Sequence, residues 1–142
     1  MTPRKSLKIC LPSKETGKKA KGSLLRKDLL MEKEKAFVVD IEQTGKHQEL
    51  LGGVVKTCGM RAGRVLLDAG QKCSTHSTEA KEEILVFLSG IGKLVIDDKM
   101  SLEVGQGKVS YISPHTIHYV QNTGEKPLVY VYCVVPVNNE SQ

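Results

Sequence analysis

The stretch GQKCSTHSTEAKEEILVFLSG, residues 70–90, decides the reading of this chain. Its second half holds residues 84–88, apolar at every position, with charged residues before and Ser89-Gly90 after. A run of that length and punctuation reads as a strand covered on both faces, by a barrel interior on one side and by a second sheet or a partner subunit on the other. Side chains alternate across a strand, so His76 and Thr78 share a face, and a hairpin brings a carboxylate from Glu82-Glu83 beside them. Only one of those two adjacent carboxylates can point inward.

Working outward, short runs rich in Val, Ile, Leu, Tyr and Phe recur from about residue 36: 36–41, 54–58, 63–68, 83–88, 93–96, 100–104, 109–112, 119–122 and 128–135. Many short strands at close spacing indicate an all-β sandwich or barrel. Turn chemistry agrees. Asp97-Asp98 joins two runs as a tight hairpin, Gly105-Gln106-Gly107 tolerates positive φ, and Asn122-Thr123-Gly124 followed by Pro127 marks another loop. The exception is one short helix expected after Ser23, carried by Leu24, Leu25, Leu29 and Leu30.

A length of 142 residues fits one domain with a sizeable core. The net charge of +5 suggests nucleic acid until it is divided along the chain. Residues 1–35 hold 11 Lys or Arg against 4 Asp or Glu, whereas residues 36–142 hold 10 against 12. The basicity belongs to an N-terminal arm, expected to be solvated and partly disordered, with Lys18, Lys19 and Lys21 between two glycines. With Phe37, Phe87, four Tyr and no Trp, the body lacks a stacking platform, so a nucleic-acid partner is not expected. No apolar run approaches the roughly 18 residues of a membrane span, and the first residues lack a secretory h-region, so we expect a cytoplasmic protein. Cys10, Cys58, Cys73 and Cys133 are far apart with no Cys-x-x-Cys pair, which points to reduced thiols rather than a disulfide framework or zinc ribbon.

Residues 70–90 and a later stretch, GKVSYISPHTIHYVQN at residues 107–122, together resemble the cupin superfamily, in particular its small single-domain members. Gly70, His76, Glu83 and Gly90 match the spacing of the first family motif; Gly107, His118 and Asn122 match the second. The resemblance covers about residues 57–136. Three positions depart from it: Thr78 stands where the pattern has a second histidine, Ser113 where it has proline, and His115 where it has glycine. The resemblance implies a double-stranded β-helix, or jelly-roll barrel, over residues 36–142. It also implies a divalent metal held by His76, Glu83 and His118, short of the family's full set of three His and one Glu.

Two imidazoles and one carboxylate on one side of a cavity resemble the facial triad used for iron(II), with positions left open for water, oxygen or substrate. Iron, manganese, nickel and zinc all suit such a set, and the alternative is a metal-free pocket in which His76 and His118 are hydrogen-bonded interior residues. Thr78, His115, Phe87 and Tyr111 are the further pocket candidates. If Glu83 points inward, so do Leu85 and Phe87, giving an apolar floor. Cys73, three residues before His76, has opposite strand parity and is expected to face away. His115 reads as a rim residue and His47 as exposed loop; the tyrosines read as core or interface, and the Asn139-Glu140-Ser141 glycosylation pattern is not expected to be used in the cytoplasm. Two function classes follow: a metal-dependent enzyme on a small polar molecule, of dioxygenase or isomerase type, or a non-catalytic module binding a sugar or other small ligand. A homodimer is the expected assembly.

Overall fold

The structure, a computed structural model, describes residues 34–138. The basic arm up to residue 33, the helix expected after Ser23 and the Asn139-Glu140-Ser141 pattern lie outside the described residues. Within them the chain runs through β1 (His47–Gly52), β2 (Arg61–Leu67), β3 (His76–Ser77), β4 (Lys81–Ser89), β5 (Ile91–Ile96), β6 (Met100–Gly105), β7 (Val109–Ile112), β8 (Ile117–Asn122) and β9 (Leu128–Pro136). One five-stranded sheet has the order β1-β2-β9-β4-β7 and a four-stranded sheet has the order β3-β8-β5-β6. All named pairs are antiparallel. This is the expected all-β double-stranded β-helix.

Alternation fixes what each strand buries. In β4, Glu83, Leu85 and Phe87 face inward, and their partners in β9 are Val134, Tyr132 and Tyr130. Across the interior, β8 supplies His118, Val120 and Asn122, and β5 supplies Leu94. Leu85, Phe87, Leu94, Val120 and Leu128 are almost wholly buried, each side chain contributing about 1.5–3 kcal/mol. Asn122 is fully buried because its amide is used three times: it donates to the carbonyls of Leu67 and Lys126 and accepts from the Gly124 N–H. The second-motif asparagine thus ties β8 to the end of β2, in the other sheet.

Asp97 and Asp98 both take positive φ, and Lys99 N–H bonds to the Ile96 carbonyl, closing the expected β5–β6 hairpin. Two expected strands are absent. Residues 36–41 pair with no strand and are exposed, and residues 54–58 begin inside a short 3-10 turn, Gly53–Val55, and continue as turn and bend. In their place the edge strand is β1, whose chain entry is fastened by the buried Arg64 guanidinium donating to the carbonyls of Thr44 and Gly45. The outer face of β4 is only half covered in the single chain, with Ile84 41% and Leu88 40% exposed.

Candidate metal centre

The two sheets meet over one cluster. β3 pairs with β8 so that His76 stands directly opposite His118, and their ring centroids are 4.3 Å apart. Glu83 comes from β4 in the opposing sheet, and its Oε2 lies 3.2 Å from His118 Nε2. One possible ligand atom from each of His76, Glu83 and His118 lies within 4.8 Å of the others. Donors that occupy neighbouring positions on one ion at about 2.1 Å lie about 3 Å apart, so entry of a metal would draw the widest pair together by up to about 1.8 Å.

Second contacts orient the rings. His76 Nδ1 is 2.8 Å from the Ser74 carbonyl, and His118 Nδ1 is 3.2 Å from the Thr116 carbonyl. A neutral ring that donates Nδ1–H to such a carbonyl keeps its lone pair on Nε2, which in His118 faces Glu83, the tautomer a metal ligand needs. Burial opposes a charged His118. The Glu83 hydrogen bond, the Thr116 carbonyl and the Glu83 charge outweigh it and hold His118 above the ordinary histidine value. A buried imidazole nitrogen 3.2 Å from a buried carboxylate oxygen is a pair that a divalent cation can bridge. The donor set therefore fits a divalent metal.

The cluster opens into a cavity of about 330 Å³, small for a small-molecule site. Aliphatic walls come from Val65, Leu85, Val120 and Val134, and polar groups from Thr78, Lys81, Tyr130 and Tyr132. Thr78 lines the cavity, yet its hydroxyl is committed to backbone: it donates to the Ser113 carbonyl at 2.8 Å and accepts from the Thr116 N–H at 3.0 Å. It locks the β7–β8 turn where the family pattern has a ligand.

The remaining candidates fall elsewhere. Phe87 is inward but is absent from the cavity wall; it packs one layer deeper, 5.5 Å from the Tyr130 ring. Tyr111 is not a pocket residue. Its neighbour Ile112 takes the inward position, so Tyr111 lies on the outer face, 60% exposed, and donates its hydroxyl to Glu82. That bond is the first cause raising the Tyr111 hydroxyl above the ordinary tyrosine value. His115 is exposed and outside the cavity wall, with φ of 55° at the place where the pattern has glycine.

Cys73 corrects the parity expectation. It lines the cavity, and its Sγ accepts from the Val120 N–H, because residues 73–75 are not strand and strand alternation does not apply to them. Burial, with Cys73 beside it, pushes the Tyr130 hydroxyl far above the ordinary tyrosine range. His47 is not loop; it begins β1, and its Nε2 lies 3.0 Å from the Tyr132 hydroxyl. Sequence reasoning passed over Tyr130 and Tyr132 as cavity residues, although their alternation on β9 places both on one face.

With this geometry in hand, comparisons agree on the family. A family model described as "Cupin domain" matches residues 63–135. An uncharacterised protein of Methanocaldococcus jannaschii, MJ1618, is 34% identical over 71 residues, which are 50% of this chain and 56% of that protein. Among solved structures, a cupin protein of Bacteroides fragilis superposes with a TM-score of 0.61 at 22% identity, covering 77% of this chain and 91% of its own. The Schizosaccharomyces pombe Cnp3 cupin domain gives 0.60 at 15% identity, covering 70% and 69%.

Proposed function

This chain belongs to the cupin family, and on that premise we propose that it is a divalent-metal protein acting on a small polar molecule inside the barrel. The observation that carries this reading is the meeting of His76, Glu83 and His118, drawn from three strands and two sheets, with each imidazole Nδ1 within hydrogen-bond distance of a backbone carbonyl. A bound divalent ion would supply Lewis-acid or oxygen chemistry at its open positions. The protein's own part is positional. Ser74 and Thr116 hold the rings, and Thr78 holds the turn that delivers His118. Lys81 adds a positive charge to the lining, in which Glu83 is the acidic residue, so an anion is favoured over a cation.

The test has two parts. Protein purified without chelator is assayed for metal alongside His118→Ala; the expected result is a metal present in the first and missing from the second. Metal-loaded protein is then offered small organic acids, thiols and catechols in an oxygen electrode. Oxygen uptake supports a dioxygenase, and product formation without uptake supports an isomerase. A native protein that binds small ligands with no metal would replace this reading by a non-catalytic binding module.

The proposal extends to a homodimer. Ile84 and Leu88 of β4 and Val109 and Tyr111 of β7 leave an apolar outer face, with Val109 65% exposed. Light scattering is expected to give twice the 15.6 kDa chain mass, and Val109→Glu to halve it. A wild-type mass of a single chain would remove the dimer from the account.

A further inference from the structure

A second polar feature stands in the cavity apart from the metal ligands. Tyr132 of β9 sits opposite Gly63 of β2, and a Cβ at residue 63 would lie 2.5 Å from the phenol oxygen and 2.6 Å from Cζ. Only a residue without a side chain lets the ring lie across β2. The ring reaches β1, where Oη is 3.0 Å from His47 Nε2 and the two rings stack with an interplanar angle of 19°. Because β9 lies between β2 and β4, the ring runs away from the strand that carries Glu83. Tyr132 therefore lines the same cavity as the triad and carries its hydroxyl toward the other side.

The rest of the wall includes the aliphatic side chains of Val65, Leu85, Val120 and Val134, with Cys73 and Tyr130 among them. Burial raises the Tyr132 hydroxyl above the ordinary tyrosine value, so it stays protonated as an O–H donor. His47 is exposed. When its Nε2–H donates to Oη, the phenol O–H is left to donate into the cavity.

We propose that Tyr132, its hydroxyl braced by His47 from outside the cavity wall, forms the second polar end of the cavity, and that the ligand is a small two-ended acid. One carboxylate sits at the metal centre, a second hydrogen-bond acceptor at the Tyr132 hydroxyl, and a short aliphatic link joins them along the apolar wall. The inference rests on the reading of His76, Glu83 and His118 as a metal site. Tyr132 acts here as a binding residue and His47 as the residue that positions it, and no bond of the ligand is made or broken by them.

The test uses the full-length, manganese-loaded protein, with manganese content measured in every sample. Calorimetry compares malonate with propionate, succinate with butyrate, and glutarate with valerate, each pair differing by a second carboxylate in place of a methyl group. In at least one pair the diacid is expected to bind about tenfold or more tightly, since the methyl partner leaves the half-buried Tyr132 donor unpaired. Tyr132→Phe keeps the ring and is expected to leave the manganese content and the monoacid affinity unchanged while removing the preference. His47→Leu, at an exposed position, is expected to lower the preference in part. Equal binding of acid and diacid, no binding of any of the six acids to the loaded protein, or a preference that survives Tyr132→Phe overturns the two-ended ligand. A protein that takes up no manganese overturns the triad reading first, and the two-ended ligand with it.

Discussion

The two ends of the barrel are built on opposite principles. At the His118 end of β8, polar side chains converge on a cavity of about 330 Å³. At the Asn122 end, a wider recess of about 1030 Å³ is lined by Gly90, Gly92, Gly105 and Gly124, with Lys and Glu side chains at its margin and no His or Cys. There the backbones approach so closely that a Cβ at Gly92 would lie 2.4 Å from the Gln121 carbonyl oxygen. The larger space is lined by glycines and surface charges, whereas the smaller one gathers possible metal-donor atoms. Size is therefore a poor guide to chemistry in this molecule, and the two ends should fail in different ways when altered.

The largest expected effect is at the metal end. His76 is exposed, so His76→Ala should leave the melting temperature of the metal-free protein nearly unchanged. Its affinity for manganese or iron, read by equilibrium dialysis, should fall by more than about a hundredfold, since even outer-shell losses reach that size. At the glycine end the pattern reverses. Gly92→Ala should cost about 3 kcal/mol because the contact is with backbone, lowering the melting temperature by about 10 °C or more, while the folded fraction keeps its metal. A Gly92→Ala protein that loses metal without losing stability would dissolve the contrast.

The smallest effect is on pH. His118 is held above the ordinary histidine value, so a proton competes for Nε2 at mildly acidic pH. Apparent metal affinity should fall by up to about tenfold per pH unit as pH drops below that raised value. The sign for the metal-free protein is opposite. A group whose folded value is raised contributes stability that is fully present below its unfolded value near 6.5 and is lost as pH rises through the folded value. Metal-free protein should thus melt higher on the acidic side of this window, and metal-loaded protein higher on the alkaline side, in paired thermal scans.

What the sequence made legible follows the same physical division. Strands β2 and β4–β9 are readable because apolar content or alternation marks each of them, and Glu83 is readable through the motif spacing that the family resemblance supplies. Short paired segments are harder. β3 is two residues long and exists through its register with β8, and β1 carries Leu50-Leu51 as its apolar content. Residues 36–41 have strand composition but no partner, so composition misleads there. Tyr111 and Cys73 were misplaced for a related reason: parity needs a known inward residue and an actual strand, and each lacked one of these. The Tyr132–His47 contact depends on Gly63 in an intervening strand, a coincidence of three strands that no local pattern reports.

The central claim is that His76, Glu83 and His118 close on one ion, and electron paramagnetic resonance of a manganese(II) titration addresses it directly. The account expects a single bound manganese per chain with nitrogen couplings from two imidazoles, reduced to one in His76→Ala and with no tight site left in Glu83→Gln. A wild-type spectrum showing only aqueous manganese, or a bound spectrum unchanged by either substitution, would contradict it.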